Sequence, residues 1–453
     1  MNVADAPVQV GDRIQLHLDS LAVGGEAVGR YQGMAVFVTW GCPGDEAIVE
    51  VTEVSARFAR AQLTEVISPS PDRVTPPCGS YRDCGGCQLE YIAYPAQLRH
   101  KTAMVREAVA RIGGLPEVEI GETWGMDAPW RYRSRAEYHA DVDASGRVAL
   151  GFLRHHTHEV VPADRCLVQH PISERIQETV TRLANRVAQS TEERARLYRV
   201  ETFVSFAQQQ ALVTLICEGR PGFVPLVAEA LMAEIPEVVG VLVARARGRT
   251  VAHRSPAEVV KGKSRLVERL GEYEYHVSAD SFFQVNPAQA ARLVDLVVEW
   301  AGLGRQESVI DAYCGVGTFL LPLARHGGPA LGIESEESAL DDARLNVTTW
   351  HLRNVHLQRG KVEKVLPEMA REGGRCSVIV LDPPRRGCGP VVTTTATRLR
   401  PRRIVLISCH PATLARDLKG LAEHGYQPMK LQPVDMFPHT WHVETVAVCE
   451  RRG

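Results

Sequence analysis

The chain has 453 residues, enough for two or three domains with separate cores. Its 52 Lys and Arg stand against 54 Asp and Glu, and the net charge of −2 excludes the global basic field of a nucleic-acid coat protein, so any nucleic-acid site must be local. No stretch approaches the ~20 apolar residues that span a bilayer, and Met1–Pro7 carries neither a charged nor an apolar leader region; a cytoplasmic protein with no membrane partner is expected. Eleven cysteines, an odd number scattered over a long chain, argue against a disulfide framework and for thiol chemistry or metal ligation in a reducing compartment.

From Val8 to about Ser68, short β-rich runs such as Arg13–Leu18 and Met34–Val38 alternate with glycine turns, which predicts a small barrel. Residues 69–77, with Pro71, Pro76 and Pro77, read as a linker. A cysteine-rich loop follows, then a helical pattern over 95–113 and mixed α/β sequence from 130 to about 270. Beyond 285 the pattern alternates: helix 287–301, strand 308–312, helix 318–326, strand 329–334, helix 336–349, strands 377–381 and 403–408, and a helix from Pro411. That order predicts a doubly wound parallel sheet.

Cys78, Cys84 and Cys87 lie within ten positions among Gly79, Gly85 and Gly86, where a tight backbone can converge several thiolates. Cys166, another loop cysteine beside a proline, is the best fourth ligand. Four thiolates suit tetrahedral zinc or an iron–sulfur cluster, and spacing alone does not separate them. Trp130-Arg131-Tyr132-Arg133-Ser134-Arg135 interleaves aromatics with arginines, in the manner of single-stranded RNA contacts.

In Val309-Ile310-Asp311-Ala312-Tyr313-Cys314-Gly315-Val316-Gly317 a strand runs into a glycine turn, and Glu334 closes the next strand, where a carboxylate can accept hydrogen bonds from ribose hydroxyls. A third glycine is missing after Gly317, so a nucleoside without phosphates fits better than a dinucleotide, and S-adenosylmethionine is the obvious one. Asp382 ends another strand ahead of Pro383-Pro384-Arg385-Arg386; the carboxylate is expected to face cofactor or base and the arginines to meet phosphates. Cys409 follows the apolar run Ile404–Ile407 and precedes Pro411, which suits the first turn of a helix. A thiol at a helix N-terminus is expected to ionise below the ~8.5 of a free cysteine. Glu444 opens the apolar run Val446–Val448, where desolvation would make it a proton acceptor near neutral pH.

Together these motifs resemble the RNA uridine-5-methyltransferase family over nearly the whole chain. Gly24-Gly25-Glu26-Ala27-Val28-Gly29-Arg30 and Pro43-Gly44-Asp45 are similar to its TRAM domain, an RNA-binding OB-type barrel. The resemblance implies an α/β chain in three parts: a TRAM-like barrel over 1–68, a central α/β domain with a metal cluster over 69–270, and a Rossmann-like methyltransferase domain over 271–453, with residues 95–125 able to pack on the catalytic domain. It implies a 4Fe-4S cluster on Cys78, Cys84, Cys87 and Cys166. It places S-adenosylmethionine against Gln284, Tyr313, Glu334 and Asp382, makes Cys409 the nucleophile and makes Glu444 the base. His410 departs from the family, which commonly has Asn after the nucleophile.

Uracil C5 is too weak a nucleophile to take a methyl directly, so a thiolate must first add at C6. A cluster together with a TRAM-like barrel resembles members acting on 23S ribosomal RNA more than those acting on transfer RNA; a monomer is expected. From a different class, the chain could be a metal-stabilised RNA-binding protein that has lost catalysis, a reading that the intact Cys409 and Glu444 oppose.

Overall fold

The computed structural model describes residues 6–155, 157–162, 165–248 and 254–452. Met1–Asp5 at the amino terminus, and Ala163 and Asp164 beside Cys166, lie outside them. Among the described residues no helix is long and apolar enough to cross a membrane.

The amino-terminal strands β1 (Arg13–Leu21), β2 (Ala27–Tyr31), β3 (Met34–Thr39), β4 (Glu46–Val54) and β5 (Phe58–Ser68) close into a barrel in the order β1-β2-β3-β5-β4. Alternate side chains, including Leu16, Leu18, Val36, Val38, Val49 and Val51, fill its interior, as the period of two in these strands requires. The segment read as a linker is tied back to this barrel. Buried Asp45 accepts hydrogen bonds from the Ser70 and Cys42 backbone N–H groups, and the Arg73 guanidinium lies 2.5 Å away.

Helix α1 (Tyr94–Arg111) and the two-residue strand β6 (Glu119–Ile120) then leave the barrel for the carboxy-terminal half of the molecule. The chain returns to build a central sheet from β7 (Arg135–Val142), β8 (Val148–Leu153), β9 (Val160–Pro162), β10 (Leu197–Ser205), β11 (Gln210–Cys217), β12 (Val238–Arg245) and β13 (Glu258–Gly262), in the order β13-β12-β11-β10-β7-β8-β9. Helices α2 (Pro171–Val187) and α4 (Phe223–Glu234) bury Ile176, Val180, Leu183, Val227 and Leu231 against it, and α3 (Thr191–Arg194) is a single turn between α2 and β10. The hairpin of β14 (Arg265–Leu270) and β15 (Tyr273–Ser278) packs Leu270 and Tyr275 into the next core, so a division at 270 falls inside it.

The last unit contains α5 (Pro287–Ala301), β16 (Val309–Ala312), α6 (Leu320–His326), β17 (Ala330–Glu334), α7 (Glu337–Thr349), β18 (Val355–Arg359), α8 (Val362–Arg371), β19 (Val378–Leu381), α9 (Gly389–Arg398), β20 (Arg403–Ser408), α10 (Pro411–Glu423), β21 (Tyr426–Val434) and β22 (Glu444–Arg451). Its eight-stranded sheet runs β18-β17-β16-β19-β20-β22-β21-β6. The five strands from β18 to β20 are parallel, whereas β22 is antiparallel to both β20 and β21. Cores on both faces cover the sheet, which is why β16, β19 and β20 are continuous apolar runs. The outermost pairing is β6 along β21, so residues 119–120 complete a sheet whose other strands lie beyond 308.

Candidate active site

Parallel pairing sets the carboxyl ends of β17, β16, β19 and β20 side by side, the place where open α/β sheets bind ligands. Glu334, Tyr313, Asp382 and Cys409 stand at or just past those ends. The antiparallel β22 brings its own beginning to the same edge. Ser408 pairs with Thr445, so Cys409 and Glu444 are neighbours where their strands meet.

The glycine turn after β16 is held by its surroundings. Tyr313 adopts φ +85°, Gly315 +54° and Gly317 +93°, while the Tyr313 and Cys314 N–H groups donate to the Ile333 carbonyl. Glu334 Oε2 accepts from the Gly315 N–H at 3.0 Å, and Oε1 accepts from Ser335 and Glu336 at 2.6 and 2.9 Å. Three backbone donors thus fix the carboxylate and leave acceptor capacity on Oε2. The Tyr313 hydroxyl is buried with no hydrogen-bond partner among the described residues, and Asp311 is fully buried with only the Leu320 backbone N–H near its carboxyl. Burial, reinforced by the Asp382 charge, holds the Asp311 carboxyl well above the carboxylate range. The unpartnered Tyr313 hydroxyl and the spare acceptor capacity of Glu334 fit a cofactor that brings a ribose diol, as S-adenosylmethionine does. Gln284 is nearly buried between β15 and α5, in a segment anchored by buried Phe283.

The electrostatics of Cys409 overturn one expectation. Burial, then the Glu444 charge, pushes the Cys409 thiol up to about 11; Arg385 pulls the other way, and Asp382 adds to the rise. The N-terminus of α10, worth about half a charge, does not offset two carboxylates in a desolvated cleft. Burial also raises Asp382 to about 7 and drives Glu444 well above its ordinary range, with the Asp382 charge raising it further and Arg385 opposing. Arg385 therefore lies close to both Cys409 and Glu444. Arg386 does not: it donates to Glu363 at 2.7 Å at the surface.

The run from Trp130 to Arg135 is not the exposed RNA stripe expected. Trp130 stacks on His439 with centroids 3.6 Å apart, and buried Tyr132 donates to the Pro438 carbonyl. Arg131 pairs with Glu174 at 2.6 Å and donates to the Cys166 carbonyl. Arg135 donates to the carbonyls of Ser278, Ala279 and Ser281, and burial lowers it to about 10. The aromatics and arginines are spent on joining three segments.

All eleven cysteines are free thiols. Cys78, Cys84, Cys87 and Cys166 line one cavity of about 390 Å³, whose opposite side includes Arg385 and His442. Gly85 lets the loop approach closely, since a Cβ there would stand 3.1 Å from the Leu153 carbonyl. Burial raises all four thiols, Cys166 to about 11. The expected metal centre is not preassembled, however: among the described residues no three His, Cys, Asp or Glu side chains converge closely enough to hold a metal ion.

The loop from Asp435 to Val443 joins this cavity to Glu444, and helix α1 and residues 88–89 grip it. Lys101 and Asp435, both fully buried, pair at 2.5 Å; Tyr94 donates to the same carboxylate at 2.9 Å. His439, at φ +67°, receives the Gln88 and Leu89 N–H groups on its carbonyl, while its own N–H donates to Gln97. None of these partners has a local sequence signature. Asp311, by contrast, has a signal that the sequence reading passed over, a lone carboxylate inside an apolar strand.

A family model described as tRNA (Uracil-5-)-methyltransferase matches residues 93–452, and a TRAM domain model matches residues 7–64. The chain belongs to the tRNA (uracil-5-)-methyltransferase family. It is an RNA uracil-5-methyltransferase, with a TRAM barrel at its amino terminus and a mixed α/β methyltransferase fold. It is 35% identical over 460 residues to an uncharacterized RNA methyltransferase of Halalkalibacterium halodurans, covering all of both chains. It is also 35% identical over 453 residues to one of Caldanaerobacter subterraneus, covering 98% of this chain and 99% of that one. Among solved structures it resembles the tRNA (uracil-54, C5)-methyltransferase of Pyrococcus abyssi, crystallised with S-adenosyl-L-homocysteine. That match has a TM-score of 0.75 at 26% identity and covers 96% of this chain and all of that one.

Proposed function

We propose that this enzyme acts in the cytoplasm as a monomer and methylates C5 of a specific uridine in 23S ribosomal RNA through a covalent adduct between Cys409 and uracil C6. The observation that carries the reading is the register of β20 against β22, which sets a cysteine and a desolvated carboxylate side by side at the cofactor edge of the sheet. S-adenosylmethionine, held by Gln284, Tyr313, Glu334 and Asp382, supplies an electrophilic methyl group.

Ionised Cys409 adds to C6, and the electron pair moves to C5 and O4 as an enolate. Arg385, whose charge reaches both Cys409 and Glu444, opposes the build-up of negative charge. C5 then takes the methyl group, whose bond to the sulfonium sulfur breaks as its electron pair returns to sulfur, so that the donor would leave as S-adenosylhomocysteine. Glu444 takes the C5 proton, the C5–C6 double bond reforms, and the Cys409 thiolate leaves. Cys409→Ala is expected to abolish turnover and covalent RNA capture, and Glu444→Gln to form the adduct and stall. Methylated RNA released at the normal rate by Glu444→Gln would count against the assignment.

Cys78, Cys84, Cys87 and Cys166 are proposed to hold a 4Fe-4S cluster, a reading supported by four thiols that line one cavity. Protein purified without air should be brown with broad visible absorption; a colourless protein containing zinc would sink this assignment. A second reading, the same reaction on transfer RNA, is favoured by the likeness to the Pyrococcus abyssi enzyme. Mapping 5-methyluridine in ribosomal and transfer RNA from cells with and without the gene decides between them.

A further inference from the structure

We propose that Trp441 is a stacking platform for the nucleotide next to the target uridine, with exposed Arg416 near it to meet a flanking phosphate. The inference rests on the RNA-methylation reading above and adds to it a subsite that Cys409 and Glu444 do not provide.

The indole stands three residues before Glu444 and is only partly buried. Its ring lies 4.0 Å from His442, tilted by 36°, and meets His410, the residue after the nucleophile, edge-on at 5.8 Å. Behind it lies the glycine turn of the TRAM barrel. A Cβ on Gly25 would stand 3.5 Å from Trp441 Cδ1 and 3.2 Å from Gln88 Cβ, so any larger residue in that turn would crowd the ring's support. Trp441 thus fills the corner where barrel, cysteine loop and nucleophile meet, packed against the buried cluster that includes Leu21 and Leu89.

Two arginines lie near His410 at this corner. Arg385 and Arg416 are exposed, and the charge of each reaches His410. Unlike Arg386, neither forms an ion pair with a described carboxylate. Aromatic rings beside unpaired guanidinium groups are the chemistry that binds single-stranded nucleic acid, by base stacking and phosphate contact. The reaction supplies the reason. A thiolate can reach C6 only when the uridine has left its stack, and the neighbour that loses this partner gains a replacement surface in Trp441.

The test uses an RNA of roughly ten nucleotides centred on the mapped uridine, intact or with one flanking base replaced by an abasic riboside on the 5′ or the 3′ side. Trp441→Ala should raise KM for the intact RNA roughly tenfold, with kcat and S-adenosylmethionine affinity within about twofold of wild type. One abasic substitution should raise the wild-type KM by a similar factor and add nothing in Trp441→Ala. Trp441→Phe should restore most of the loss. Trp441→Leu, which fills the corner without stacking, carries the same comparison if the alanine variant fails to fold. An unchanged KM, or abasic losses of equal size in wild type and variant, overturns the proposal alone; wild-type protein that leaves this RNA unmethylated overturns the functional reading and this inference with it.

Discussion

Cys409 is a thiol that its surroundings keep protonated. A cysteine with an ordinary pKa is about a tenth thiolate at pH 7.5, whereas one near 11 is below about a thousandth. Iodoacetamide labelling of Cys409, followed by mass spectrometry, should therefore be at least about 100-fold slower at pH 7.5 than labelling of a free thiol. It should rise about tenfold per pH unit towards pH 11. Each neighbour has a signed effect. Glu444→Gln removes a charge that opposes ionisation and should speed labelling, while Arg385→Met removes one that favours it and should slow labelling. The opposite order would refute the arrangement of charges. The positions of Cys409 and Glu444 were legible because each adjoins an apolar strand. Their protonation was not, since burial and charge arrive from β19, β20 and β22 together. The arginines at 131 and 135 were misread for the same reason: a local pattern of charge and ring does not say whether carbonyls lie behind it.

At the level of elements, the β/α alternation was clear wherever strands are buried on both faces, and α5 spans the residues that its periodicity predicts. β18 carries His356 and Gln358 at the sheet edge and has no apolar run to mark it. Helix α8 contains Pro367, and α9 opens on Gly389-Pro390 and carries three consecutive threonines, all poor helix formers. Tertiary packing makes these helices, not propensity. The antiparallel β22 escaped the alternation altogether, although it delivers the proposed base. Where strand and turn meet, packing is tight: a Cβ at Gly332 would stand 2.5 Å from Leu320 Cδ2 and 2.8 Å from Cys314 Sγ. Gly332→Ala should cost about 1–3 kcal/mol in urea unfolding. By displacing the turn that Glu334 ties down, it should also weaken S-adenosylmethionine binding measured by calorimetry.

Across the whole molecule, the parts interleave. Helix α1 precedes the central sheet in the chain yet lies against α10 and β21, and its Lys101 is buried with Asp435 from the far end of the sequence. Lys101→Met leaves that carboxylate without its cation, and thermal unfolding should register a loss of about 3–5 kcal/mol. The pair Lys101→Met with Asp435→Leu should recover most of it, because two apolar side chains have no charge left to compensate. Sequence patterns could not show this, for the partners are 334 positions apart. The same separation governs the order of events during synthesis. Glu119 and Ile120 emerge early, but the strand they pair with, Lys430 and Leu431, emerges almost last. Until then β6 has no strand to pair with, although Ala96 and Met104 of α1 already have Leu21 and Leu89 to pack on, and loop-closure entropy makes the docking of β6 a late, slow step. The amino-terminal barrel can form at once on its local hairpins, whereas the catalytic sheet waits for the end of the chain. A nascent chain halted before residue 426 should thus carry a folded barrel and an unfinished, aggregation-prone remainder, open to chaperones until β21 and β22 close it.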